Sequence, residues 1–211
     1  DDGYAHIFEN IVPLLQQHKV PATFAIPLSH DNLPASTGLP FTGWPHWLSL
    51  SSPTVEIAAH AVHHTDLTHL SLAELETELR EPAAKLQATT IVYPGGAVND
   101  AVQTAAQQYY QAGRTTHHGF ETLSPHNPLR LRTFNFTRHN FSPFKANILA
   151  LWAYLTNSWL IETYHIVSDE PTDLKYAVSQ KDFQQHIRFL THLPVAVRTI
   201  RDVISHHSYQ K

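Results

Sequence analysis

The sequence has no cysteine and no methionine, and it holds only 7 glycines and 14 basic residues in 211. Without cysteine, neither disulfides nor thiolate metal ligands can contribute, and the redox compartment leaves no trace in the sequence. Without an initiator methionine we expect a preceding segment, into which an export signal would fit. The few basic residues are scattered and the formal net charge is -4, so the chain lacks a phosphate-tracking surface and nucleic acid is not an expected partner. Long apolar runs are missing as well. The most apolar window, Ile148 to Val167, is broken by Thr156, Asn157, Ser158, Glu162 and His165, which reads as helix then strand and not as a membrane span.

What the chain has in plenty is histidine, 17 residues of it. Its charge therefore rises below about pH 6.5. The length suits a single domain, residues 1–211, large enough to bury a core.

One stretch stands out, Glu56-Ile57-Ala58-Ala59-His60-Ala61-Val62-His63-His64-Thr65-Asp66-Leu67, together with the opening Asp1-Asp2-Gly3. A short apolar strand, Val55 to Ala59, runs into two histidines four apart, a spacing that predicts both imidazoles on one side of a helical turn. Two neutral histidines and one carboxylate make a catalytic zinc site with positions left for water and substrate, and Asp1-Asp2 offers that carboxylate with a second beside it. Among 17 histidines roughly one such pair arises by chance. The pair gains weight from its ordered company: Tyr93-Pro94-Gly95-Gly96 downstream, and Tyr164-His165 after an apolar run.

Elsewhere, Tyr4 to Lys19 carries Ile7, Ile11, Leu14 and Leu15 on a helical face, with Pro13 expected to kink it. Pro21 to Ile26 reads as a buried strand, and Trp44 and Trp47 as packing residues on a short helix. Ser71 and Glu74 have capping-box spacing for a helix to Leu86. Thr89 to Tyr93 follows as a strand. Asn99 caps a helix through Ala112, and Gly113 to Thr116 is the next strand. Leu131 to Thr137 and Trp159 to Tyr164 are strands flanking a helix from Phe144 to Thr156. Ser179 and Asp182 open the last long helix, and Pro194 to Arg198 is the last strand. Strand and helix alternate, which predicts a parallel α/β fold with ligands at the strands' carboxyl ends.

In order and spacing these motifs resemble those of the polysaccharide deacetylases, the family 4 carbohydrate esterases with a NodB-type domain. Asp1-Asp2-Gly3, His60 to Leu67, Val92 to Gly96 and Trp159 to His165 match four of that family's motifs. The resemblance implies a distorted, incomplete (β/α)7-type barrel, whose strand before Asp-Asp-Gly this sequence lacks. It implies a hydrolase that removes acetyl groups from an acetylated polysaccharide or oligosaccharide. An N-acetyl amino sugar polymer is the first choice, and O-acetylated xylan the second. One divalent ion, Zn2+ before others, would be held by Asp2, His60 and His64.

The roles it implies are Asp1 as general base, His165 as general acid, and Gly95 as donor of an oxyanion-stabilising backbone N–H. Tyr93, Pro94, Ile161 and Tyr164 would meet substrate. Val92 stands where many members have an arginine paired with the base, and Arg114 on the neighbouring strand is the expected replacement. His63 is expected to face away from the metal, and His117, His118 and His139 to be exposed. The loops Pro27 to Gly43 and His117 to Pro128 would carry substrate choice, and export is expected because such polymers lie outside the cytoplasm. The alternative is a catalytically impaired relative that keeps the fold and only binds a glycan or a partner.

Overall fold

The computed structural model describes residues 1–33, 37–169 and 173–208. Its strands are β1 (Ala22–Ile26), β2 (Val55–Ala59), β3 (Thr90–Val92), β4 (Ala112–His118), β5 (Glu121–Thr122), β6 (Leu131–Asn135), β7 (Ser158–Trp159), β8 (Glu162–Thr163), β9 (Ile166–Val167) and β10 (Ala177–Val178). Its α-helices are α1 (Val12–Gln17), α2 (Trp44–Leu48), α3 (Leu72–Leu86), α4 (Asp100–Ala106), α5 (Pro143–Thr156), α6 (Gln180–Leu190) and α7 (Ile200–Ser208). Six strands form one parallel sheet in the order β1-β2-β3-β4-β6-β8, curled into a half-barrel. Two small pairs, β5 with β7 and β9 with β10, lie beside it.

Alternation along each strand divides the core. Phe24, Ile26, Ile57 and Ile91 join the main apolar cluster with Leu75, Leu79 and Val102 from the helices, whereas Ala25, Ala58 and Val92 form a separate small cluster. Trp47 is fully buried, its Nε1 donating to the Thr42 carbonyl at 3.1 Å, which makes it a packing residue as expected. Residues 1–3 bridge the open edges of the sheet at its carboxyl end. The Asp1 nitrogen donates to the Tyr164 carbonyl just beyond β8 at 2.8 Å, and Gly3 lies against Ile26 at the end of β1.

Local rules account for the helix starts. Ser71 and Glu74 close a reciprocal capping box on α3, Asn99 caps α4, and Ser142 and Ser179 cap α5 and α6. Pro13 does not kink a regular helix. A π-helical turn, Ile7–Ile11, precedes it and leaves Pro13 in the first turn of α1, where its missing N–H costs nothing.

Three boundaries differ from the sequence reading. The helix begun by Asn99 ends at Ala106, because Ala112 is claimed by β4 pairing with β3. The stretch from Trp159 to Tyr164 is split into β7 and β8, which pair with different strands. Pro194 to Arg198 forms no strand; it leads into α7. Helix α7 seals the amino-terminal end of the half-barrel. Ile200 and Ile204 pack on Ala112, Leu131 and Ile161, and the buried Glu56 carboxylate accepts from Thr23 Oγ1 at 2.7 Å and from the Arg201 N–H at 2.9 Å.

Candidate metal and catalytic site

Beyond β2 the chain does not wind the helical turn that the histidine spacing predicted. It runs through a loop in which Ala61 and His64 take left-handed backbone angles, φ +62° and +53°. Such angles cost an L-residue roughly 1–2 kcal/mol each, so the loop needs external support. Leu28 and Ser29 donate backbone N–H groups to Ala61 and Val62 at 3.3 and 2.7 Å. From below, Glu78 of α3 accepts the Val62 and His63 amides on Oε2 at 2.8 and 3.0 Å. His63 is exposed and turned to the other oxygen of Glu78, Nδ1 to Oε1 2.5 Å, and stands outside the group that Asp2, His60 and His64 form. Asp66 caps the next turn, and Leu67 is buried beneath it.

The loop brings the rings of His60 and His64 to 4.7 Å centroid to centroid. Nε2 of each faces the same oxygen, Asp2 Oδ1, at 3.3 and 3.4 Å. Ligand atoms placed 2.0–2.2 Å from one tetrahedral ion stand about 3.3–3.6 Å apart, so these separations fit a shared cation better than direct pairing. Asp2 Oδ1 is buried and has no hydrogen-bond donor, an orphaned acceptor of the kind that a cation satisfies. The three residues are the only group of potential metal ligands found among the described residues.

Protonation follows from the contacts. His60 Nδ1 lies 2.6 Å from the Val92 carbonyl oxygen, which can only accept, so Nδ1 carries the proton and Nε2 keeps its lone pair toward Asp2. Burial pushes the His60 imidazolium down to about 4, and the ring is neutral at pH 7. Burial alone would raise the Asp2 carboxyl, but the neighbouring imidazoles of His60, His64 and His165 hold it well below the ordinary carboxylate range.

Beside this group, the Arg114 guanidinium pairs with Asp1 Oδ2, and His165 Nε2 lies 3.5 Å from that same oxygen. Arg114 is buried, and desolvation lowers it to about 10, still charged at neutral pH. Burial takes His165 down to about 3, with Arg114 adding to the effect and Asp2 opposing it. The result is an acidic pair, Asp1 and Asp2, with three imidazoles beyond the carboxyl ends of β2 and β8 and one guanidinium from β4, level with the end of β3.

The third motif is placed differently from expectation. Gly95 is exposed and left-handed at φ +61°, in a tight turn whose next residue, Gly96, has no room for a side chain: a Cβ there would lie 2.2 Å from Thr116 Oγ1. Tyr93 and Pro94, expected to meet substrate, are both buried. The Tyr93 hydroxyl donates to the Leu129 carbonyl at 3.1 Å, in space that Gly113 leaves free, so the ring supports the turn from behind.

Ile161 is a second correction. It packs with Ala112, Leu131, Ile200 and Ile204 at the α7 end of the half-barrel, entering β8 from the end opposite to His165. Tyr164 turns its ring to Phe136, Phe141 and Phe183 and its hydroxyl to Glu162 at 3.0 Å; it presents its backbone carbonyl to Asp1.

Three neighbours of the site escaped the sequence reading. Thr163 lies between Ile161 and His165 and bonds Thr133 Oγ1 at 2.8 Å. Tyr176, partly exposed, sets its ring 4.8 Å from that of His165. Glu78 did leave a signal, being a carboxylate within the buried stripe Leu75, Leu79, Pro82 and Leu86 of α3. His117, His118 and His139 are exposed. Of the two loops expected to select substrate, residues 34–36 lie outside the described residues.

Comparisons with known proteins agree with this fold. The family model described as polysaccharide deacetylase matches residues 1–113. No curated protein matches the chain. Among solved structures, the T48 deacetylase with substrate is similar over 98% of this chain and 88% of its own, at 17% identity and TM-score 0.62. The Xyl-CE4 domain of a multidomain xylanase from the hindgut metagenome of Trinervitermes trinervoides is similar over 99% and 88%, at 15% identity and TM-score 0.59. The Streptococcus pyogenes deacetylase PplD, in complex with acetate, matches 63% of this chain at 21% identity and TM-score 0.52. The match spans 60% of PplD's own length.

Proposed function

Because the chain belongs to the polysaccharide deacetylase family, we propose that it is a metal-dependent hydrolase releasing acetate from an acetylated polysaccharide. N-acetyl amino sugar polymers are the first substrate class and O-acetylated xylan the second. The observation that carries the reading is the convergence of Asp2, His60 and His64 on one point, with Asp1, Arg114 and His165 alongside.

Asp2, His60 and His64 would hold one divalent ion, Zn2+ by its preference for imidazole and carboxylate in a tetrahedral set. When bound, such an ion polarises the acetyl carbonyl and lowers the pKa of a coordinated water. The Asp1 carboxylate takes the proton of the attacking water. Arg114 keeps that carboxylate aimed. The proton taken by Asp1 passes to His165, neutral at pH 7 with Nε2 3.5 Å from Asp1 Oδ2, and the imidazolium so formed hands it to the departing amine or alcohol. The exposed turn at Gly95 supplies the backbone N–H facing the developing oxyanion. The reading includes export, since polymeric acetylated glycans lie outside the cytoplasm.

The test is acetate release from chitooligosaccharides, acetylated xylan and peptidoglycan fragments, before and after treatment with a chelator and re-addition of zinc. Chelator-sensitive release restored by zinc is expected with at least one of them. Release from none, by protein holding one equivalent of zinc, would turn the assignment away from glycans.

A further inference from the structure

We propose that Glu78 is the positioning residue that holds the His60–His64 loop in its metal-ligating shape, an inference that rests on the metal-site reading above. Three observations point to it. Glu78 is a carboxylate buried in the apolar face of α3, where an unpartnered charge would be costly. It has its partners, and all of them belong to the four-residue interval 61–64: the Val62 and His63 amides on Oε2, and the His63 ring on Oε1. And that interval begins and ends on left-handed residues, Ala61 and His64, neither of them glycine.

The physical link is direct. A backbone pinned at two successive amides cannot relax its neighbours to ordinary angles without breaking one of those bonds. Releasing the amides frees His64 to swing back, and Nε2 of His64 leaves Asp2 Oδ1. His60 is held separately by the Val92 carbonyl, so the loss falls on one ligand of three and weakens the site without abolishing it. Glu78 thus acts through the loop and touches neither metal nor substrate, as outer partners of metal ligands commonly do, at a cost of roughly 10–100-fold in affinity when they are removed.

The experiment measures zinc affinity by competition with a chromogenic chelator, in the intact chain, for wild type, Glu78→Ala, Glu78→Asp, Glu78→Gln and, as a control on the same helix, Glu81→Ala. Far-ultraviolet circular dichroism reports whether each variant is folded. Glu78→Ala is expected to bind zinc about 10–100-fold more weakly. Glu78→Asp, charged but one methylene short of the amides, should lose at least about tenfold, and it carries the test if Glu78→Ala fails to fold. Glu78→Gln keeps an amide oxygen able to accept both N–H groups and should restore most of the affinity, a rescue that a general loss of stability would not produce. Glu81→Ala should match wild type. Folded Glu78→Ala or Glu78→Asp with wild-type affinity would overturn the positioning role alone. A wild-type chain that binds no zinc would overturn the metal-site reading and this inference with it, and the two failures are told apart by the wild-type measurement.

Discussion

Val92 and Arg114 face each other in register across β3 and β4, and from the second of these positions the guanidinium reaches Asp1. Where the family resemblance leads one to expect an arginine on β3, this chain has a valine in the barrel interior, and the cation is supplied one strand over. In a parallel sheet, register partners lie side by side about 4.8 Å apart, a gap that an arginine side chain spans.

The Arg114–Asp1 pair is almost fully enclosed, with side-chain exposures of 3% and 11%. Removing one partner of such a pair leaves the other charge uncompensated, which costs about 3–5 kcal/mol. Arg114→Met is expected to lower the free energy of urea unfolding by roughly that amount and to reduce acetate release by at least about tenfold. Stability equal to wild type would mean that Asp1 does not need its cation.

His165 is expected to matter in proportion to the leaving group. With an N-acetyl sugar, whose amine must be protonated to depart, His165→Ala should lower kcat by about 10²–10⁴-fold. With p-nitrophenyl acetate, whose phenolate leaves unprotonated, the loss should be small. Equal losses on both substrates would assign His165 to holding the site together instead of delivering a proton.

Acid should destabilise the metal-free chain early. Burial lowers His60 to about 4 and His165 to about 3, whereas both titrate near 6.5 when unfolded. Between pH 6.5 and 4 the unfolded chain binds more protons, so stability is complete above that window and falls as pH drops, by up to about 1.4 kcal/mol per pH unit for each ring. Asp2, held well below its ordinary range, extends the loss below pH 3.8. Urea midpoints in EDTA should therefore fall from pH 7 to pH 5 by the equivalent of about 3–4 kcal/mol. A flat profile would mean that these rings are not buried in the neutral state.

Glu56 joins the opposite end of the half-barrel to α7 through Thr23 and the Arg201 amide. Glu56→Ala leaves two buried donors without an acceptor, at about 1–3 kcal/mol each at most. Hydrogen exchange of the α7 amides should speed up by tenfold or more, while zinc affinity stays within about twofold because His60 lies a strand length away. Unchanged exchange would show that the Glu56 carboxylate does not hold α7.

The capping box at Ser71 and Glu74, the strand Val55–Ala59 and the start of α6 were legible because each is written in contacts a few residues apart. So was the choice of Asp2, His60 and His64 as a group that could hold a metal, since its residue types and their order along the chain need no coordinates. The shape of the His60–His64 interval was not legible: the same spacing suits a helical turn, and only the Glu78 carboxylate, together with the pairing to Leu28 and Ser29, holds the left-handed loop instead. Tyr93 and Ile161 were misplaced for a related reason. A residue on a barrel strand has a face set by alternation but a depth set by register with neighbours distant in sequence.

The order of residues along the chain thus determined which groups are available: two carboxylates, three imidazoles and a guanidinium, with the α/β alternation that carries them. The tertiary structure decided which of these meet. Convergence on Asp2, and the pairing of Asp1 with an arginine 113 positions away, depend on how far each strand slides past the next before its hydrogen bonds lock, and no local pattern encodes that distance.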